Sequence, residues 1–209
     1  MSQHQQVASI IADNLIEKGY AVVDELLATD ALQQIIHRFD ELQEEEEFHK
    51  AGIGKQNHFT VDKTIRGDYI RWVDAKDNQA PTFKLYEFIN ELVVQLNRTC
   101  FLGIKDYETH YAFYPQGRGY QMHRDRFKNN PHRIVSFVFY LNENWQEGNG
   151  GELVLYNEDK TIIESIAPKA NRLAVFLSET LHEVKNCHTE RRSITGWLLD
   201  IEKQLTFLG

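Results

Sequence analysis

Cysteine is scarce: Cys100 and Cys187 are the only two in 209 residues, too few for a disulfide framework. They fit a reducing compartment, as ordinary partly buried thiols. Apolar runs are short as well. No stretch approaches the ~18 residues of a membrane span, and no charged-then-apolar leader is recognisable, so neither a span nor a secretory signal is expected and the protein reads as cytoplasmic. A basic excess is also missing: 31 acids stand against 23 bases, a formal net charge of -8. That balance argues against nucleic-acid binding through a broad basic face. There is no internal repeat, low-complexity linker or evident domain boundary. A chain of 209 residues can bury one core without staples, so the simplest organisation is a single domain, with helical support over 1–100 and a β core over about 107–200.

What is present begins with helices. Val7, Ile10, Ile11, Leu15 and Ile16 recur at helical spacing ahead of Gly19, a residue suited to ending a helix. Tyr20–Val23 reads as a short strand. A second helix, capped by Asp24 or by Thr29-Asp30, carries Leu32, Ile35, Ile36, Phe39 and Leu42 as its apolar stripe. It ends in the acid run Glu44–Glu47, read as a solvated helix end. From Lys50 to Asp77 the helical period vanishes, glycines come at Gly52, Gly54 and Gly67, and Asp68–Val73 has strand character. An excursion of that length is either a substrate-covering hairpin or a passive loop. Helix resumes over Pro81–Cys100, apolar on more than one side and therefore expected to lie buried against a sheet.

After Leu102 the pattern changes to short strands, at 108–114, 120–123, 133–141, 152–156, 161–166, 172–177, 183–184 and 193–199. Turn residues separate them, which argues a sandwich or jelly roll with the helices on one face. Gly117 and Gly119 do not make a phosphate loop, because no helix follows them.

Within this region lie His123-Arg124-Asp125, then His182, then Arg191. Side chains two apart on a strand share a face, so His123 and Asp125 can aim an imidazole and a carboxylate at one point. His182, in another apolar segment, can complete the two-histidine, one-carboxylate triad that binds non-haem Fe(II) with open positions. Arg191, nine residues later, offers a planar cationic fork for a cosubstrate carboxylate. Its neighbour Arg192 falls on the opposite strand face and is expected to be exposed.

Together these motifs resemble a known family. Tyr114-Pro-x-Gly-x-Gly-Tyr-x-x-His-x-Asp, Tyr140-Leu-Asn-x-x-Trp, Gly150-Gly-Glu-Leu and His182-Glu-Val are similar to those of the 2-oxoglutarate and Fe(II)-dependent prolyl hydroxylases. Thr64-Ile-Arg-Gly-Asp-Tyr-Ile-Arg-Trp is similar to the hypoxia-inducible-factor (Egl-nine) type and its bacterial relatives. The resemblance spans about 65–200, without a zinc-finger extension and with a short tail after Asp200.

It implies an α+β, mainly β fold: a double-stranded β-helix with N-terminal helices packed on one face. It further implies His123, Asp125 and His182 on iron, and Arg191 on the distal carboxylate of 2-oxoglutarate with Tyr140 hydrogen-bonded to it and Thr195 nearby. A buried carboxylate needs such partners, although strand packing alone also accounts for Tyr140 and Thr195. By the same resemblance Tyr114 lines the cosubstrate pocket, Asp68 and Arg133 pair to latch a lid over 51–73, and Trp197 stands near the substrate mouth. The remaining histidines, His110, His132 and His188 among them, read as structural or exposed.

The activity implied is hydroxylation of a prolyl residue in a protein, with Fe(II), 2-oxoglutarate and O2 as reagents and ascorbate as reductant. Elongation factor Tu is an expected bacterial substrate. A hydroxylase of a free amino acid or other small molecule, and a metal-binding jelly roll without turnover, remain as alternatives.

Overall fold

The computed structural model describes residues 2–51, 66–73, 80–128 and 130–202. Helix α1 (Gln3–Lys18) is opened by a capping box. The Ser2 hydroxyl accepts from the Gln5 N–H at 3.2 Å, and the Gln5 side chain accepts from the Ser2 N–H at 2.9 Å. Gly19, at φ +77°, closes it. The buried face is Ala8, Ile11, Ala12 and Leu15, whereas Ile10 and Ile16 are 55% and 62% exposed. Two isoleucines of the expected stripe therefore face solvent, and small alanines let α1 pack against α3 (Phe83–Cys100).

Helix α2 (Thr29–Glu44) buries the expected stripe, Leu32, Ile35, Ile36, Phe39 and Leu42. Its cap differs from expectation. Ala28 occupies the cap position with no side-chain bond, and Asp24 is instead held by Arg172 at 2.6 and 2.9 Å.

Two antiparallel sheets make up the rest. The large sheet contains β1 (Tyr20–Val23), β2 (His49–Lys50), β3 (Tyr69–Val73), β4 (Asp106–Tyr114), β6 (Arg133–Tyr140), β9 (Leu173–Leu177) and β11 (Arg191–Leu199), in the order β1-β9-β6-β11-β4-β3-β2. The small sheet has β5 (Tyr120–His123), β7 (Leu153–Tyr156), β8 (Ile162–Ile166) and β10 (Leu181–Val184), in the order β5-β10-β7-β8. From β4 onward the chain passes back and forth between the sheets, which winds a double-stranded β-helix.

Strand β6 shows why its sequence reads as an unbroken apolar run. Val135, Phe137 and Phe139 face outward onto the helices with Phe39, Phe88 and Ile89. The alternate Val138 and Tyr140 face inward, against Leu153, Leu155 and Ile166 of the small sheet. A strand buried on both faces has no polar side to alternate with. Ser136 is the polar exception, and it too points inward.

Cys187 is buried and Cys100 half-buried, both as free thiols. Among the described residues no helix is long and apolar enough to cross a membrane.

Candidate active site

His123 and His182 lie opposite each other on adjacent strands β5 and β10. Asp125 follows β5, fixed by its own N–H and that of Arg126, which both donate to the Ser178 carbonyl at 3.0 and 2.8 Å. One potential ligand atom from each of the three side chains lies within 4.8 Å of the others. His182 and Asp125 are buried, and His123 is half-buried.

The supporting contacts decide which atoms face the centre. Nδ1 of His123 meets the Gln121 carbonyl at 2.7 Å, and Nδ1 of His182 meets the Thr180 carbonyl at 2.8 Å. A carbonyl can only accept, so both Nδ1 atoms carry the proton and both Nε2 lone pairs are free. Those Nε2 atoms stand 3.7 and 3.5 Å from the Asp125 carboxylate. Ser136 donates to Asp125 Oδ2 at 2.7 Å, and its hydroxyl lies 2.8 Å from that of Ser178.

Protonation states favour the same ion. Burial would raise the Asp125 carboxyl, but the two imidazoles and Ser136 outweigh it and bring it down to about 2. The Trp197 indole N–H adds to this hold, although it lies outside normal hydrogen-bond geometry. Burial, with His182 beside it, pushes His123 down to about 3. At neutral pH the cluster presents a neutral His123 imidazole and an ionised Asp125 carboxylate, with Nε2 of His182 turned to the same point, a donor set that fits Fe(II) with cis positions left open.

Further along the same inner face the charge is cationic. Arg191 is 3% exposed. It donates from Nε to the Gly151 carbonyl at 2.9 Å and from Nη1 to Ser193 Oγ at 3.3 Å. Its guanidinium carbon stands 5.0 and 5.1 Å from the rings of Tyr114 and Tyr140. No acid pairs with it among the described residues, and the buried Tyr140 hydroxyl, close enough to Arg191 to feel its charge, has no partner there within normal hydrogen-bond geometry. A buried cation without a counter-ion is costly, and an unpaired phenol beside it marks where a ligand carboxylate fits. Gly151 is required at this point: at φ +77°, a Cβ there would lie 3.1 Å from both Arg191 Cδ and Cys187 Sγ.

Register joins the two ends. On β6, Ser136 touches the metal centre and Tyr140 the arginine, four residues or about 13 Å of strand apart on one face. Thr195 lies on that same inner surface, paired with His110 on one side and Val138 on the other, and is half-exposed. Trp197 is buried, with the Arg133 guanidinium 3.4 Å over its ring and the His110 ring at 5.3 Å. His110 is itself buried, with Nδ1 unpartnered among the described residues.

Two expectations are corrected. Asp68 does not pair with Arg133. It is buried and takes both its bonds from Arg66, at 2.7 and 2.9 Å, while Arg133 is paired with Glu108 at 2.7 Å. Asp68 and Arg66 sit on one short extended segment, which suits a local fork, and Glu108 stands on the strand beside Trp197. Arg192 does turn away from Arg191, but it is half-buried rather than exposed, paired with Asp40 and Glu190 and lying 5.1 Å over Phe39. Residues 52–65, most of the expected lid, lie outside the described residues.

Sequence reasoning missed Ser136, Ser178, Ser193 and Arg66. Ser193 was reachable, because the period of two that puts Thr195 with Arg191 puts Ser193 between them. Ser136 was the one small polar residue inside an apolar strand.

Comparison with known proteins agrees with this geometry. Residues 109–199 match the family described as the 2OG-Fe(II) oxygenase superfamily. Over 196 residues the chain is 31% identical to Egl nine homolog 1 of Mus musculus, covering 89% of this chain and 48% of that protein. The chain thus spans about half the length of that curated relative. A crystal structure of a Pseudomonas putida prolyl-4-hydroxylase is 33% identical, with a TM-score of 0.83 over 93% of this chain and 100% of the other. A prolyl hydroxylase from Trichoplax adhaerens, in complex with a hypoxia inducible factor oxygen degradation domain peptide fragment, is 26% identical, with a TM-score of 0.84 over 95% and 91%. With its inward-facing His-Asp-His cluster and its jelly roll, the chain belongs to the 2OG-Fe(II) oxygenase superfamily, within its prolyl hydroxylase family.

Proposed function

We propose that the protein hydroxylates a prolyl residue of a protein substrate, using Fe(II), 2-oxoglutarate and dioxygen. When bound together these reagents supply insertion of one oxygen atom into a C–H bond, coupled to conversion of 2-oxoglutarate to succinate and carbon dioxide. The observation that carries the reading is Arg191, a buried cation beside a Tyr140 hydroxyl that has no hydrogen-bond partner among the described residues, on the same inner face as three side chains able to hold a metal.

Each residue then has a task. His123, Asp125 and His182 would hold the metal, oriented beforehand by hydrogen bonds to Gln121, Thr180 and Ser136. Arg191, Tyr140 and Ser193 would hold the distal carboxylate, so that the other end of the cosubstrate is aimed at the metal. Tyr114 lies against Arg191, and Thr195 stands on the inner face between the two ends. Trp197 walls the cavity with its indole and, through Arg133 and Glu108, joins that wall to the surface.

Elongation factor Tu is the protein we would test first, on the family resemblance. The test is incubation with Fe(II), 2-oxoglutarate and air, followed by peptide mass analysis and a succinate assay. A gain of one oxygen on a proline, matched by succinate, is expected. Succinate formed with a free amino acid and with no protein would favour a small-molecule hydroxylase. No succinate under any condition would leave a binding protein.

A further inference from the structure

Strand β5 is the most weakly held part of the metal centre. It has four residues, lies at the edge of the small sheet, and pairs with β10 through His123 and Tyr120 with an irregularity between them. His123 is also the more open imidazole, its side chain 19% exposed against 5% for His182. A ladder this short leaves the ring to be fixed by other contacts.

Tyr120 supplies one. Its ring is stacked on that of His123, centroids 3.6 Å apart and planes at 19°. The Arg66 guanidinium sits over the same tyrosine ring at 5.1 Å and is gripped by both oxygens of Asp68, whose side chain is 1% exposed. The backbone follows suit: Arg66 bridges to Tyr120, and the Gly67 N–H donates to the Gly119 carbonyl at 3.0 Å. Glycine is needed for that approach, because a Cβ at Gly67 would meet Arg118 Cβ at 2.9 Å, and one at Gly119 would meet the Val184 carbonyl oxygen at 2.6 Å.

Resting on the iron-centre reading above, we propose that Tyr120 and Arg66 are positioning residues for the metal ligand His123. Asp68 neutralises and orients Arg66, the guanidinium holds the tyrosine ring, and the ring holds the imidazole at its binding angle. A buried Arg–Asp pair is a poor source of stability compared with apolar side chains of similar volume, so its value here lies in the cation it places over Tyr120.

The experiment is spectrophotometric titration of the full metal-free chain with Co(II). Tyr120→Leu and the double variant Arg66→Met/Asp68→Leu should each weaken Co(II) binding about tenfold, the range for loss of contacts that orient a ligand. Tyr120→Phe, which keeps the ring, should bind like the parent. The double variant replaces the ion pair by apolar volume, so its unfolding temperature should hold while its metal affinity falls, an outcome a purely structural pair would not give. Co(II) affinities within about threefold of the parent for both Tyr120→Leu and the double variant would overturn the inference, threefold being well short of the expected loss. So would a Phe variant as weak as the Leu variant. His123→Ala separates the two claims: if it too binds Co(II) like the parent, the metal-centre reading fails, and if it alone loses Co(II), only the positioning role fails.

Discussion

Arg191 and Arg192 are adjacent in the chain and opposite in circumstance. Arg191 points inward with no acid to neutralise it among the described residues, whereas Arg192 points outward into Asp40 and Glu190. Arg191→Met should therefore cost about 2–5 kcal/mol of 2-oxoglutarate binding, roughly 30-fold or more in affinity, with metal binding preserved. Lysine should restore part of this, as a point charge in place of a fork. Calorimetric titration of 2-oxoglutarate into the metal-loaded variants measures both. His182→Ala should weaken metal binding by more than the roughly 10–100-fold that outer contacts contribute; normal affinity would remove it from the centre. The inward side chains were legible because strand alternation is strict. The partner of Asp68 was not, since an ion pair depends on where two loops meet in space, and its fork goes to Arg66 two residues away instead of across the sheet.

At the scale of elements, β11 carries the pocket on one face and the helix contacts on the other. Arg192 ties that strand to α2 through Asp40 and packs on Phe39. With its side chain 27% exposed and that of Asp40 46% exposed, the tie is worth only about 0–1 kcal/mol. Arg192→Ala should lower stability to urea by that order and leave 2-oxoglutarate affinity unchanged; a large loss of affinity would mean that α2 positions Arg191 through the strand. Most strands were found to within a residue or two, as with Tyr120–His123 and Tyr20–Val23, because turn residues bracket them; the two-residue β2 was not found, and β10 was read two residues short, without His182. Helix faces were less legible. In α1 the isoleucines drew attention from Ala8 and Ala12, whose small size lets a neighbouring helix approach. Accordingly Ile16→Lys should change stability by less than about 0.5 kcal/mol, whereas Ile11→Ala should cost about 2–5 kcal/mol. Equal losses in urea denaturation would contradict the assigned face.

For the molecule as a whole, the inner face concentrates groups that must stay uncharged or unprotonated. Burial, reinforced by Arg66 and Arg133, holds His110 well below its ordinary 6.5, and His123 is down to about 3. Unfolded, both would take up protons near 6.5. The unfolded chain therefore binds more protons as pH falls below that value, and stability that is complete above it is lost on acidification. Each histidine adds a slope of up to about 1.4 kcal/mol per pH unit. The metal-free protein should melt at progressively lower temperature below about pH 6.5, and His110→Leu should flatten that dependence by about one proton; an unchanged slope would mean that His110 is not held neutral by its surroundings.

We place a metal at one end of the inner face, on His123, Asp125 and His182, and a carboxylate clamp at the other, on Arg191. This arrangement is tested most directly by titrating 2-oxoglutarate into the parent, His182→Ala and Arg191→Met chains, each with and without Fe(II) under anaerobic conditions. The parent should bind 2-oxoglutarate tightly only with metal present, His182→Ala should lose both ligands, and Arg191→Met should keep the metal and lose the cosubstrate. Unaltered 2-oxoglutarate affinity in Arg191→Met, or tight binding to the parent without metal, would rule this arrangement out.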